Sequence, residues 1–265
     1  MKTSKSNLTN SLEPNQFRVL IVYPNLPLMM LVPVAVGIFT EKFKKLGYVV
    51  DLFDTTFYKD DGQLAAYSEE REQMLNQRIV KSEVHQPVKT RMLEDFREKI
   101  ETFKPDFLIG TVVEDAFFRM LKLLRAIEDL NIPHLIGGVF PTYAPEKCMS
   151  FEEIKIIGVG EGEKTVVEVA EAVRKKTPVD TISGIWYRDS ANVIKKNPAQ
   201  PLVNINDVIP DYSLFSPGRF WRPLGGKNFK ILPATKNSKS TCVSCHHGSH
   251  SPLFDFKKYW SKIKH

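Results

Sequence analysis

The chain has 265 residues, 42% of them hydrophobic and 26% charged, with a formal net charge of +6. That length suits one full domain and a smaller second region. No apolar run reaches the roughly 20 residues that a membrane-spanning helix needs, and the lysines are scattered among glutamates instead of clustering as a nucleic-acid footprint requires. Three cysteines cannot pair off, and no secretory segment precedes them, so a cytoplasmic protein with reduced thiols is expected.

Residues 1–17 are polar and read as a disordered tail. Arg18–Tyr23 is an apolar run of strand length, followed by a loop with Pro24 and Pro27. Residues 34–46 have helical character and stop at Gly47, a natural residue to end a helix. Val49–Asp54 completes a β-α-β unit of ordinary size. Residues 58–102 break the alternation. They are rich in Glu, Arg, Gln and Lys, and read as two helices, 63–80 and 88–103, divided near Pro87.

The stretch 105–165 organises the rest. A buried strand at 107–113 leads to a helix at 115–130, where Phe118, Leu121, Leu124, Ile127 and Leu130 recur at helical spacing. A strand at 134–136 ends in Gly137 and Gly138. A further strand at 154–160 runs into Glu161, Gly162, Glu163 and Lys164, and a helix spans 165–176. Residues 18–178 therefore predict an α/β domain: a five-stranded, doubly wound parallel sheet of strand order 2-1-3-4-5. Residues 182–188 and 193–195 flank a turn-like stretch and predict a hairpin. A Pro-punctuated linker to residue 230 and an irregular tail, 231–265, follow.

Two strands of this sheet end in glycines. In open α/β sheets, ligands bind beyond the carboxyl ends of the strands, where glycine lets them approach the backbone. Gly137, Gly138, Gly158, Gly160 and Gly162 are therefore candidate site positions, although tight turns also use glycine. No G-x-G-x-x-G follows the first strand and no P-loop is present. Thr111 ends strand three with a hydroxyl that can bond a ligand or its own backbone. Cys242 and Cys245 form a C-x-x-C followed by His246, His247 and His250. This set suits zinc or part of an iron–sulfur cluster, or else a loose reduced tail. Cys148 reads as a structural thiol in a loop.

Together these residues resemble the cobalamin (B12)-binding radical SAM proteins. The resemblance rests on "VPVAVGIFTEKFKKLGYVVDLFD", on "KPDFLIGTVV" with "IPHLIGGVFPTYAPE", on "IIGVGEGEKTVVEVAEAV" with its G-E-G-E, and on "ISGIWYRD" followed by "NINDVIPDYSLF". It implies a Rossmann-like cobalamin-binding domain over 18–178, with a hairpin and linker to 230 and the remnant of a radical SAM N-terminus from 231. By motif, Thr111 and Val113 line the cofactor's nucleotide tail, and Gly137, Gly138, Gly160, Glu161 and Gly162 contact it or shape its channel. The 25–34 loop lies below the corrin. It contains no His, which implies cobalt without a protein imidazole ligand.

The family's C-x-x-x-C-x-x-C, which binds a [4Fe–4S] cluster and S-adenosylmethionine, is incomplete. Ser238 stands at the first Cys position, Asn237 and Ser244 depart from the usual residues, and Cys242 and Cys245 remain as metal candidates. Only 20 residues follow Cys245, against the order of 200 that a barrel needs. The expectation is a corrinoid-binding protein without radical activity of its own, with any barrel supplied by a separate chain. Full-length relatives transfer methyl groups to unreactive carbons or form rings oxidatively. Two alternatives stand beside it. One is an α/β scaffold with a zinc-type Cys/His clip and no corrinoid. The other is an iron–sulfur enzyme that uses Ser238 or a His as its third ligand.

Overall fold

The computed structural model describes residues 11–26, 32–59, 89–203, 210–224 and 227–230, with backbone alone at 217 and 221–230. Residues 1–230 form one unit; the second, 231–265, lies outside the described residues. The expected helix at 63–80, the cysteine pair and Ser238 also lie outside them.

Nine strands are described: β1 (Arg18–Tyr23), β2 (Val49–Asp54), β3 (Phe107–Thr111), β4 (His134–Gly137), β5 (Ile156–Gly158), β6 (Ile185–Arg188), β7 (Ile194–Lys196), β8 (Trp221–Leu224) and β9 (Lys227–Lys230). The helices are α1 (Val34–Lys45), α2 (Met92–Phe103), α3 (Glu114–Arg125), α4 (Val139–Tyr143), α5 (Pro145–Met149) and α6 (Thr165–Lys175). The five parallel strands lie in the expected order, β2-β1-β3-β4-β5. The strand count is larger than expected, because the hairpin β6–β7 extends the same sheet to seven. β6 pairs antiparallel with β5 and buries Ile185, which covers an edge that β5 would otherwise expose. Its turn is set by Asp189, whose Oδ1 accepts from Ala191 N and Val193 N, both at 2.9 Å.

Strand periodicity divides the core into two layers. Val19, Ile21, Phe107, Ile109 and Leu135 face α1 and α6, meeting Val36, Phe39, Phe43, Val166, Val169 and Ala170. Leu20, Val22, Leu108, Ile136 and Ile157 face α2, α3 and α5, meeting Phe96, Ile100, Phe117, Met120 and Met149. The strands read as unbroken apolar runs because both faces are covered. α1 ends where expected, with Gly47 at φ +79° and three lysines in the last turn.

Two local expectations change. The expected 1–17 tail stops short of residue 17: Pro14–Gln16 forms a 3₁₀ turn, and Phe17 is 1% exposed, stacked edge-on against Tyr48. Phe17, with Leu12 packed on the same core and the Leu12 carbonyl held by Arg174, anchors a stretch whose composition is polar. Cys148 lies in α5 instead of a loop, fully buried, and burial pushes its thiol up to about 12. It is an inert packing residue.

His134 opens β4 with Nε2 2.9 Å from Glu153 O and Nδ1 3.2 Å from Ile132 O. Burial holds its pKa below the ordinary 6.5. The unfolded imidazole gains its proton first as pH falls, so this contribution to stability is complete above about pH 6.5 and lost below it. The urea midpoint is expected to fall between about pH 7 and 5, and His134→Gln to flatten that decline.

Candidate functional site

The C-terminal ends of β3, β4 and β5 meet in a row of small residues. Thr111 pairs in register with Gly137, and Gly137 lies beside Gly158: a Cβ added to Gly158 would stand 3.8 Å from the Gly137 Cα. By strand alternation Thr111, Gly137 and Gly158 share the face of Ile109, Leu135 and Ile156, towards α1 and α6. A Cβ on Gly137 would meet nothing nearer than Gly110 O, at 4.0 Å. At Gly137 the floor of the site is therefore bare backbone with open space above it, and Gly158 beside it is buried.

The other glycines have different duties. Gly138 has φ +108°, and a Cβ there would lie 2.6 Å from Val112 O and 2.7 Å from Val112 N. It is a structural hinge that lets α4 start directly after β4. Gly160 has φ +92° with nothing within 4 Å of its Cβ position, so it opens onto free space. Gly162 packs against α1, its Cβ position 3.3 Å from Phe39 Cζ.

Thr142 ties these ends together, a role sequence reasoning missed. Its hydroxyl donates to Gly138 O at 2.8 Å and accepts from Gly160 N at 3.1 Å. Glu161 turns outward, and its Oε2 accepts from Val203 N at 2.7 Å, which pins the following linker to the loop. Val113, 52% exposed, sits at the rim just before α3. The structure thus brings Thr111, Val113, Gly137, Gly138, Gly160, Glu161 and Gly162 to one end of the sheet. It gives Gly138 and Glu161 structural partners within the chain.

A second polar cluster closes the ends of β1 and β2. Asn25 N donates to Thr55 Oγ1 at 2.7 Å and Asn25 Nδ2 to Thr56 Oγ1 at 2.8 Å. Asp54 accepts from Thr56 Oγ1 at 2.6 Å and pairs with Arg219 Nε at 2.7 Å. Arg219 is 0% exposed and lies over the Tyr23 and Phe215 rings. Burial drives the Tyr23 hydroxyl up to about 12, Arg219 opposing and Asp54 adding to the shift. Neither Asp54 nor Arg219 could be singled out from the sequence, because 165 residues separate them. Of the 25–34 loop, residues 27–31 lie outside the described residues.

Among the described residues no group of three or more His, Cys, Asp or Glu could hold a metal ion. No helix among them is long and apolar enough to cross a membrane. What the site offers is an open glycine floor, a hydroxyl at its edge and an apolar rim. These features suit an elongated organic ligand laid against backbone.

Residues 64–170 match the family described as the B12 binding domain. An uncharacterized methyltransferase of Pyrococcus horikoshii is 26% identical over 171 residues, covering 63% of this chain and 36% of that protein. The anaerobic magnesium-protoporphyrin IX monomethyl ester cyclase of Rubrivivax gelatinosus is 24% identical over 159 residues, covering 57% and 29%. The chain thus spans about a third of the length of these curated relatives. Among solved structures, the radical S-adenosylmethionine methyltransferase TsrM of Kitasatospora setae, with cobalamin and a [4Fe–4S] cluster bound, has the same fold over 73% of this chain and 31% of its own. Its TM-score is 0.52 at 19% identity.

Proposed function

The chain carries a B12-binding domain, and from that premise we propose that it holds cobalamin at the carboxyl ends of its parallel strands. The observation that carries the reading is the row Thr111–Gly137–Gly158, where the sheet presents bare backbone at Gly137, with free space over it, beside the Thr111 hydroxyl. In this reading the nucleotide tail lies along that row. Thr111 offers a hydroxyl, Val113 an apolar contact, and Gly160 and Gly162 leave room at the loop. Gly138 and Glu161 act at one remove, Gly138 by turning the chain and Glu161 by fixing the linker through Val203. The 25–34 loop carries no His, and we propose that it leaves cobalt without a protein imidazole.

Bound cobalamin would supply cobalt-centred group-transfer or redox chemistry that no side chain here possesses. This chain's residues bind and orient that cofactor. The chemistry of the relatives belongs to whole proteins about twice as long. We propose that a [4Fe–4S] cluster and S-adenosylmethionine, where that chemistry is performed, sit outside the B12-binding domain. Cys242 and Cys245 are kept as candidate metal ligands. We propose a reducing, cytoplasmic setting for the protein, a reading supported by the odd number of cysteines.

The test is a visible-absorption titration with hydroxocobalamin followed by desalting, on the wild type and on Gly137→Leu. Gly137 has an ordinary backbone and space over it, so the variant is expected to fold. Its side chain fills the row, and corrin retention should drop at least tenfold. Complete loss of corrin from the folded wild type defeats the reading, and so does unchanged retention in Gly137→Leu.

A further inference from the structure

Thr142 stands where two loops at the carboxyl end of the sheet meet, and its hydroxyl both donates and accepts there. Its proton goes to Gly138 O at 2.8 Å, and a lone pair accepts from Gly160 N at 3.1 Å. Gly138 follows Gly137 directly, and Gly160 lies two residues beyond Gly158. One half-buried side chain therefore joins the turn after β4 to the loop after β5, just past the row Thr111–Gly137–Gly158.

The two bonds are not equally replaceable. Gly138 O also accepts from Thr142 N, at 3.3 Å, so it keeps a donor whatever the side chain at 142. Gly160 N has no other acceptor among the described residues. Gly160 is exposed, has φ +92° and has nothing within 4 Å of its Cβ position. While the loop is open, water can stand in for the hydroxyl. When a ligand covers the loop, water is shut out, and an amide left without an acceptor becomes costly. The adjacent carboxylate of Glu161 is engaged by Val203 N. Glycine also loses more freedom on ordering than any other residue, and the Thr142 bond restrains this one before the ligand arrives.

We infer that Thr142 is a positioning residue for the nucleotide tail: its hydroxyl satisfies and orders the Gly160 amide so that the tail can cover the loop after β5. It acts through Gly160 and not on the ligand itself. This rests on the cobalamin reading above and deepens it, because it separates the half of the cofactor that depends on Thr142 from the half that does not.

The experiment titrates wild type, Thr142→Val and Thr142→Ser with hydroxocobalamin and with cobinamide, which lacks the nucleotide tail. It also melts each ligand-free protein and follows hydrogen exchange at the Gly160 amide. Thr142→Val keeps the shape and loses the hydroxyl, and it is expected to weaken hydroxocobalamin about tenfold. Thr142→Ser keeps the hydroxyl and should stay within about twofold of wild type. Cobinamide should bind wild type and Thr142→Val alike, since no tail then covers the loop. The ligand-free melting temperature of Thr142→Val should lie within about 4 °C of wild type, and its Gly160 amide should exchange faster. Equal hydroxocobalamin affinity in wild type and Thr142→Val overturns the inference, and so does an equal loss of cobinamide. A melting temperature that falls further, in step with affinity, marks a purely structural role and overturns it too. Unchanged Gly160 exchange in Thr142→Val removes the contact on which it stands. A folded wild type that retains no cobalamin defeats the underlying reading, and this inference falls with it; the ligand-free exchange data then still report whether the Thr142–Gly160 contact exists.

Discussion

Asp54→Ala is expected to lower the free energy of unfolding by about 3–5 kcal/mol, the cost of removing one partner of a buried ion pair. Against a typical total of about 5–15 kcal/mol, that is enough to leave a substantial unfolded fraction in moderate urea. The loss arises because Arg219 stays inside. Its side chain is 1% exposed, packed over Tyr23 and Phe215, and it loses the carboxylate 2.7 Å from its Nε. The hydroxyl and amide of Thr56 lose their acceptor too. The damage should not stay local. The segment around Arg219 is also pinned to α1, through Asp211 N on Gly37 O at 2.9 Å and Lys44 on Asp211 at 2.8 Å. Loosening it therefore frees the whole 210–220 strap. The measurement is the urea midpoint of wild type, Asp54→Ala, and the double variant Asp54→Ala/Arg219→Leu. The double variant should recover much of the loss, because no charge is then stranded. A midpoint in Asp54→Ala equal to that of wild type would show that the pair does not hold the strap.

Gly138→Ala carries the second large effect. The backbone there has φ +108°, a region alanine avoids at a cost of about 1–3 kcal/mol. The added methyl would also overlap the Val112 carbonyl and amide, at 2.6 and 2.7 Å, and backbone cannot swing aside as a flexible side chain can. Overpacking of this kind adds about 1–3 kcal/mol. The displaced atoms matter as well. Val112 N donates to Gly137 O at 2.9 Å and Phe140 N to Val112 O at 3.3 Å, so the β3–β4 pairing and the start of α4 are disturbed together. Gly160→Ala should be far milder, since its Cβ would touch nothing and only the positive φ is penalised. Thermal melts of the two variants side by side test the contrast. Equal melting temperatures would contradict the close approach at Gly138. A bulky residue at Gly138 therefore tests folding, whereas one at Gly137 tests binding.

These contrasts show what kind of information each glycine's position holds. Gly137, Gly138 and Gly160 look alike in the sequence, as glycines after apolar runs. Gly137 lies in a strand and faces open space, Gly138 turns the chain against Val112, and Gly160 bends a loop held by Thr142. The difference lies in φ and in what stands opposite, and neither is a property of the local sequence.

The sequence by itself determined the order and kind of the strands β1 to β7 and of the long helices α1, α2, α3 and α6 between them, whereas the short α4 and α5 fell in a stretch read as loop. Apolar runs buried on both faces, helical spacing and Gly or Pro stops are local signals, and short parallel crossovers leave few ways to join them. They also determined that glycines crowd the carboxyl ends of β4 and β5. Only the tertiary structure decided that the hairpin continues the sheet beyond β5, that Phe17 anchors a polar N-terminal stretch, and that Arg219 reaches back to Asp54. Each of these depends on a contact between residues far apart in the chain. Its energy comes from burial and pairing after the chain has closed on itself, and no local pattern in the sequence records it.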